Sequence, residues 1–163
     1  MKDLLIVYYS LTGGTAQMAR AAAEGAASVE GVRVHLSTAS ETNPEQVLAA
    51  DGYIFACPEN LAAVAGLMKD FFDRCYYPAL ERINGRPYAV LICAGSDGSN
   101  TARQIERIAM GWRLHTVAPT FIVCTHAQTP EQIMSQKLIG KAELARCREI
   151  GATLASGMEL GIF

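Results

Sequence analysis

The stretch best suited to binding chemistry is S-L-T-G-G-T, from Ser10 to Thr15. It follows an apolar run and precedes a segment with helical periodicity, which predicts a loop between a strand and a helix N-terminus. Glycines let the backbone approach a ligand, and free amides at a helix N-terminus favour an anion. The hydroxyls of Ser10, Thr12 and Thr15 can donate to phosphate oxygens. The stretch therefore predicts a phosphate-binding loop, and the alternative is a glycine-rich turn with hydroxyl helix caps.

Two known phosphate-binding motifs are absent from this loop, which restricts the kind of phosphate ligand it could bind. There is no Lys or Arg before Arg20, so the pattern differs from the G-x-x-x-x-G-K-[ST] loop of nucleotide hydrolases. The G-x-G-x-x-G pattern of dinucleotide-binding proteins is absent as well. A phosphomonoester held mainly by neutral donors fits this loop better than a triphosphate does.

Five apolar runs rich in Val, Ile, Tyr and Phe must position this loop. They are Leu4–Tyr9, Val32–Leu36, Tyr53–Cys57, Tyr88–Ala94 and Phe121–Cys124, and segments with helical periodicity separate them. This alternation predicts an α/β domain with a parallel sheet. The second run alternates polar and apolar residues, which predicts an edge strand. Pro119 removes a hydrogen-bond donor before the fifth run, which predicts the opposite edge.

Two further polar loops follow apolar runs and belong at the same edge of such a sheet. P-E-N-L begins at Pro58, and A-G-S-D-G-S-N covers Ala94 to Asn100. Because ligands bind beyond the carboxyl ends of parallel strands, these loops and the first loop predict one shared site. The spacing of Val64, Met68 and Phe71 predicts the buried face of a helix after the second loop.

Two short motifs predict where other helices start. N-P-E-Q at 43–46 and T-P-E-Q at 129–132 each offer a capping side chain, then Pro at the first helical position, then Gln three residues after the cap. Such capping boxes satisfy the free amides of a first helical turn.

Composition restricts the partners. The 163 residues include 14 Lys plus Arg and 16 Asp plus Glu, a net charge of −2, which argues against a nucleic-acid partner. No apolar run approaches the roughly 20 residues that span a bilayer, so no membrane insertion is predicted. The apolar start of the chain is too short for a signal sequence, which favours a cytoplasmic location. We expect a single domain over residues 1–163.

The five cysteines are widely spaced, with no C-x-x-C pair and no histidine at ligand spacing. This pattern predicts reduced, buried thiols and no metal site. Cys57 ends the third apolar run, and its apolar neighbours favour an inert thiol.

These motifs together resemble the flavodoxin-like superfamily. S-x-T-G-x-T after a first strand is similar to the loop that binds the phosphate of flavin mononucleotide (FMN) in flavodoxins and related reductases. D-G-Y-I-F-A-C-P-E-N, followed by A-G-L-M-K-D-F-F-D-R, resembles the third-strand and third-helix segment of the NAD(P)H-dependent FMN and quinone reductases. The resemblance implies an α/β three-layer sandwich with a five-stranded parallel sheet in order 2-1-3-4-5 and helices on both faces.

The resemblance also implies the cofactor-binding residues. Around the FMN phosphate they are Ser10, Leu11, Thr12, Gly13, Gly14 and Thr15; along the ring or ribityl chain, Pro58, Glu59, Asn60 and Leu61; along the other ring edge, Gly95, Ser96, Asp97, Gly98 and Ser99. Glu59 and Asp97 carry charges that would shift the flavin potential if they face the ring, and the alternative is a role in turns or helix caps. No catalytic side chain is implied, because the flavin carries the chemistry.

Flavodoxins commonly stack aromatic side chains on the flavin, yet the second and third loops contain none. Three explanations remain open: Leu61 and backbone cover the ring, a second subunit supplies Tyr76, Tyr77 or Trp112, or FMN binding is weak or lost.

The resemblance implies FMN as cofactor, NADH or NADPH as co-substrate, a quinone or similar small acceptor, and a homodimer or homotetramer. The alternative function is a flavodoxin-type electron carrier, which the weak net charge of −2 disfavours. A flavin-binding or flavin-less regulatory domain is a third possible function.

Overall fold

A computed structural model describes residues 1–163, in which strands and helices alternate. The strands are β1 (Lys2–Tyr8), β2 (Val32–Thr38), β3 (Gly52–Asn60), β4 (Ala63–Val64), β5 (Pro87–Ala94), β6 (His115–Thr116) and β7 (Phe121–Cys124). The helices are α1 (Gly14–Ala27), α2 (Pro44–Ala49), α3 (Gly66–Ala79), α4 (Ser99–Gly111), α5 (Pro130–Met134) and α6 (Lys141–Leu160). The five predicted apolar runs all form strands.

The sheet runs in the order β2-β1-β3-β5, and both β6 and β7 pair with β5 at the far edge. These pairs are all parallel, which confirms the predicted order of the five main strands. The sheet has seven strands instead of five, because β4 and β6 add two residues each. Strands this short carry no recognisable apolar period, so the sequence does not predict them.

Two apolar layers cover the sheet, one on each face. One layer holds the aromatic group Phe55, Phe71, Phe72 and Trp112, with ring centroids 5.1 to 6.3 Å apart. The opposite layer packs α1 and α6 against the sheet, with Met18 wholly buried in it. Because β3 and β5 are buried on both faces, their sequences are continuously apolar.

Helices α1 and α6 lie side by side at very short range. A Cβ atom on Gly25 would collide with the carbonyl of Arg148, and one on Gly151 would collide with the carbonyl of Ala22. The chain between β7 and α6 lies across the start of α1, where the Lys137 amide donates to the Thr12 carbonyl.

Both predicted capping boxes are confirmed. Asn43 accepts from the Gln46 amide at the start of α2, and Thr129 accepts from the Gln132 amide at the start of α5. No helix has both the length and the apolar character that crossing a membrane requires.

Candidate functional site

The loop between β1 and α1, which we call the anion cradle, has free amides of the kind that bind anions at helix N-termini. Gly13 has a φ of 89°, in the left-handed region that favours glycine, and its N–H donates to Ser10 Oγ at 3.1 Å. The next amides, those of Gly14 and Thr15, donate to no acceptor in the chain. They lie at the N-terminus of a 14-residue helix, whose dipole favours negative charge.

Thr15 adds a hydroxyl to this cradle. The residue is only 2% exposed and lines the cleft beside the loop. Its hydroxyl makes no hydrogen bond within the chain, and since no buried side-chain oxygen lacks a partner, this oxygen is accessible and free to bind a ligand oxygen.

Gly14 has a packing role as well. A Cβ atom there would lie 2.7 Å from Cys93 Sγ on β5 and 3.3 Å from Lys137 Cβ. The missing side chain therefore lets the start of α1 rest directly on the end of β5.

The second predicted loop is a tight hairpin. β3 continues to Asn60, turns at Leu61 and Ala62, and returns as β4, with Glu59 opposite Val64. Leu61 and Ala62 have φ values of 50° and 59°, left-handed conformations that cost non-glycine residues energy. The Leu61 side chain is fully exposed and lies outside the cleft.

Glu59 joins this hairpin to the third loop. Its Oε1 accepts from the Gly98 amide at 2.9 Å, and its Oε2 accepts from the Thr101 amide at 3.2 Å and hydroxyl at 3.0 Å. Asp97 accepts from the amide and hydroxyl of Ser99 at the exposed start of α4. Both carboxylates thus cap the start of α4, the alternative that the sequence left open.

The three loops surround a cleft of about 320 Å³. The predicted residues that line it are Ser10, Leu11, Thr12, Gly14, Thr15, Pro58, Glu59, Asn60, Gly95 and Ser96. The predicted residues that lie outside its lining are Gly13, Leu61, Asp97, Gly98 and Ser99. Gly98 is instead packed beside Ile122, where a Cβ atom would lie 2.7 Å from Cγ2.

Residues 125–139, which we call the covering segment, form a wall that the sequence did not predict. Thr125, Ala127, Ile133, Met134 and Lys137 of this segment line the cleft. The Lys137 N–H donates to the Thr12 carbonyl at 2.8 Å. Gln17 Nε2 donates to the carbonyls of Gly13 and Lys137, at 3.0 and 2.7 Å. The T-P-E-Q motif predicts a helix in this segment. The position of the segment beside the cleft depends on contacts between residues far apart in sequence, and such contacts leave no local pattern.

Three further residues that were not predicted also line the cleft, and none is aromatic: Ala62, Cys93 and Ala94. Burial raises the pKa of the Cys93 thiol, and it raises that of Cys57 to about 12. Trp112 is 3% exposed in the aromatic core, so the expectation that it could cover a flavin is wrong for this side chain. Tyr77 is 80% exposed and lies outside the cleft.

This arrangement matches a known family. A family model described as NADPH-dependent FMN reductase matches residues 3–128. The chain belongs to this family. The matched range contains the three predicted loops and ends before α5, so most of the covering segment of this FMN reductase family member lies beyond it.

Two curated relatives are similar to this chain in sequence. A flavodoxin from Aquifex aeolicus (strain VF5) is 37% identical over 60% of this chain and 53% of its own length. An NAD(P)H dehydrogenase (quinone) from Acidithiobacillus ferrooxidans (strain ATCC 53993 / BNL-5-31) is 36% identical over 45% of this chain and 47% of its own. The family member described here therefore spans about half the length of the curated relatives it matches.

A solved structure of a flavodoxin from the domain Archaea superposes with a TM-score of 0.78 at 16% identity, covering 96% of this chain and 99% of the other. This similarity confirms the flavodoxin-like fold. Together with the family match, it supports a flavin oxidoreductase.

Proposed function

We propose that the chain binds FMN in the cleft and reduces a quinone or similar small acceptor at the expense of NADH or NADPH. The observation that carries this proposal is the cradle at the start of α1, where the free amides of Gly14 and Thr15 and the unpaired Thr15 hydroxyl point to one anion site. Family membership supports a flavin as the molecule to which that anion belongs.

Each wall of the cleft has a separate task in this proposal. The cradle would hold the phosphate, and residues 58–60 and 95–96, which line the cleft, would contact the ring. When bound, FMN supplies the chemistry of hydride transfer between a reduced nicotinamide and an acceptor. The chain itself would orient the flavin and limit the access of water to it.

The open side of the cleft suits a flat, largely apolar acceptor. Ile133 and Met134 line the cleft and remain 49% and 64% exposed, and Leu11 is 62% exposed on the opposite side. These aliphatic side chains offer apolar surface at the cleft, which a quinone ring could contact.

Anaerobic spectroscopy tests the proposal. The purified chain is titrated with FMN, mixed with NADH or NADPH, and then given a quinone. We expect flavin binding, bleaching of the flavin absorbance by at least one nucleotide, and recovery on addition of the quinone. Binding without reduction by either nucleotide would favour the electron carrier, which the flavodoxin relative represents. Absence of binding would overturn both functions.

A double variant tests the phosphate site itself. Thr12→Ala with Thr15→Ala should weaken FMN binding about tenfold or more, because two donors to a charged group are lost. Thr116→Ala with Thr120→Ala is the matched control, since both threonines lie outside the cleft. Equal FMN affinity in the two double variants would show that the phosphate is bound elsewhere.

A further inference from the structure

Lys137 is the one cation of the cleft. Among the residues that line it, only Glu59 and Lys137 carry charged side chains. Both carboxylate oxygens of Glu59 are already occupied by donors from the start of α4. Lys137 forms no ion pair with any carboxylate of the chain. Its positive charge is therefore not neutralised by the protein.

The ammonium group is held on neutral acceptors. Lys137 Nζ donates at 2.7 Å to each of three carbonyl oxygens, those of Gln132, Ile133 and Ser135. These carbonyls belong to the end of the five-residue helix α5 and the turn after it. They use all three ammonium protons, so Lys137 offers a ligand its unneutralised charge and no free N–H.

The backbone of Lys137 is fixed to the anion cradle. Its N–H donates to the Thr12 carbonyl at 2.8 Å, and its carbonyl accepts from Gln17 Nε2 at 2.7 Å. Its Cβ would lie 3.3 Å from a Cβ atom on Gly14, the first residue of α1. The covering segment thus fixes the backbone and Cβ of a lysine beside the point where the helix offers its free amides.

A phosphomonoester carries between one and two negative charges near pH 7, and the cradle itself contains only neutral donors. We propose that Lys137 is the charge partner of the ligand phosphate and makes the cleft select a phosphorylated flavin over the unphosphorylated one. This inference rests on the proposed FMN function. It assigns a binding role to a residue beyond the range that the family model matches.

Paired titrations with FMN and riboflavin test this role, since the two ligands differ only in the phosphate. We expect Lys137→Gln to weaken FMN binding about tenfold, equivalent to about 1.4 kcal/mol, and to leave riboflavin affinity unchanged. Lys137→Arg keeps the charge and should retain FMN affinity. Lys141→Gln is the matched control, because Lys141 is exposed at the start of α6 and lies outside the cleft.

Salt dependence supplies a second readout that a purely structural lysine would not change. The FMN dissociation constant of the unsubstituted chain should rise with salt concentration more steeply than that of Lys137→Gln, because salt screens the ion pair. Riboflavin binding should depend weakly on salt in both proteins.

Three results would overturn the inference. Equal losses for FMN and riboflavin in Lys137→Gln would show that Lys137 only positions the covering segment. Unchanged FMN affinity would show that the phosphate does not meet this cation. If the unsubstituted chain binds neither flavin, the proposed function itself fails and this role falls with it, a result seen before any variant is made.

Discussion

Glu59 accepts two hydrogen bonds from Thr101, one from its backbone amide at 3.2 Å and one from its hydroxyl at 3.0 Å. Thr101 is wholly buried at the start of α4, and Glu59 lies near the end of β3. A third bond reaches Glu59 from the Gly98 amide. One carboxylate thus connects two walls of the cleft, so Glu59 has a structural role although it lines the cleft.

Removing this charge should cost stability. Glu59→Gln replaces one carboxylate oxygen by a donor, so at least one of its three partners loses its acceptor. We expect the free energy of unfolding in urea to fall by about 1.5 to 3 kcal/mol, the usual range for hydrogen bonds to charged groups. Asp97→Asn is the matched control, because Asn caps as well as Asp at an exposed helix start, and it should change stability by about 0.5 kcal/mol or less. Similar values for both variants would contradict this role.

The hairpin turn offers a stabilising substitution. Ala62 has a φ of 59°, where a Cβ atom is unfavourable, so Ala62→Gly should raise the free energy of unfolding by about 0.5 to 1 kcal/mol. Ala63→Gly, one residue later in β4, should lower it by a similar amount, because glycine weakens a strand. Urea unfolding of both variants measures the two changes in the free energy of unfolding, which should have opposite signs. Two changes of the same sign would refute the prediction.

The contact between Gly14 and Cys93 can be measured by a double-mutant cycle. Gly14→Ala places a methyl group 2.7 Å from Cys93 Sγ and should cost about 1 to 3 kcal/mol of stability. Cys93→Ala removes that sulfur, so the double variant should be more stable than the sum of the two single losses predicts. Strict additivity would show that the new methyl group is accommodated in some other direction.

Acid should act on one ion cluster at the sheet edge. Asp3 accepts from Arg33 Nε at 2.6 Å and from His35 Nε2 at 2.7 Å, and these bonds, that from Arg33 above all, hold its pKa well below the ordinary 3.8. A lowered folded-state pKa stabilises the fold fully above the unfolded value and less as the pH falls below it. The unsubstituted chain should therefore lose stability more steeply than Asp3→Asn between about pH 4 and pH 2. Parallel curves would exclude the cluster as a source of acid sensitivity.

The strands, the edge position of β2 and the three loops were predictable because each depends on a local pattern, whereas the order of the inner strands was implied only by the family resemblance. Continuous apolar runs mark strands buried on both faces, and the capping boxes at Asn43 and Thr129 mark helix starts. The alternating run at Val32–Leu36 correctly predicted an edge strand, since β2 pairs only with β1.

Features that depend on distant contacts were not predictable. Val64 was expected on the buried face of α3, but it pairs with Glu59 in β4, and its amide donates to Gln104 on α4. The turn that precedes it, Leu61 and Ala62, contains neither the Asn nor the Gly that normally mark such a hairpin. Lys137 could not be placed for the same reason, because backbone bonds to residues more than a hundred positions away bring it to the cleft.

The contact between α1 and α6, at Gly25 and Gly151, has a consequence for biosynthesis. The anion cradle leaves the ribosome first, but the last residue that lines the cleft, Lys137, emerges more than a hundred residues later and bonds back to Thr12 and Gln17. A nascent chain that ends before residue 141 therefore contains every residue that lines the cleft, but the side of α1 that packs on α6 is still uncovered. Burial of α1 should thus be the last step in completing this half of the fold.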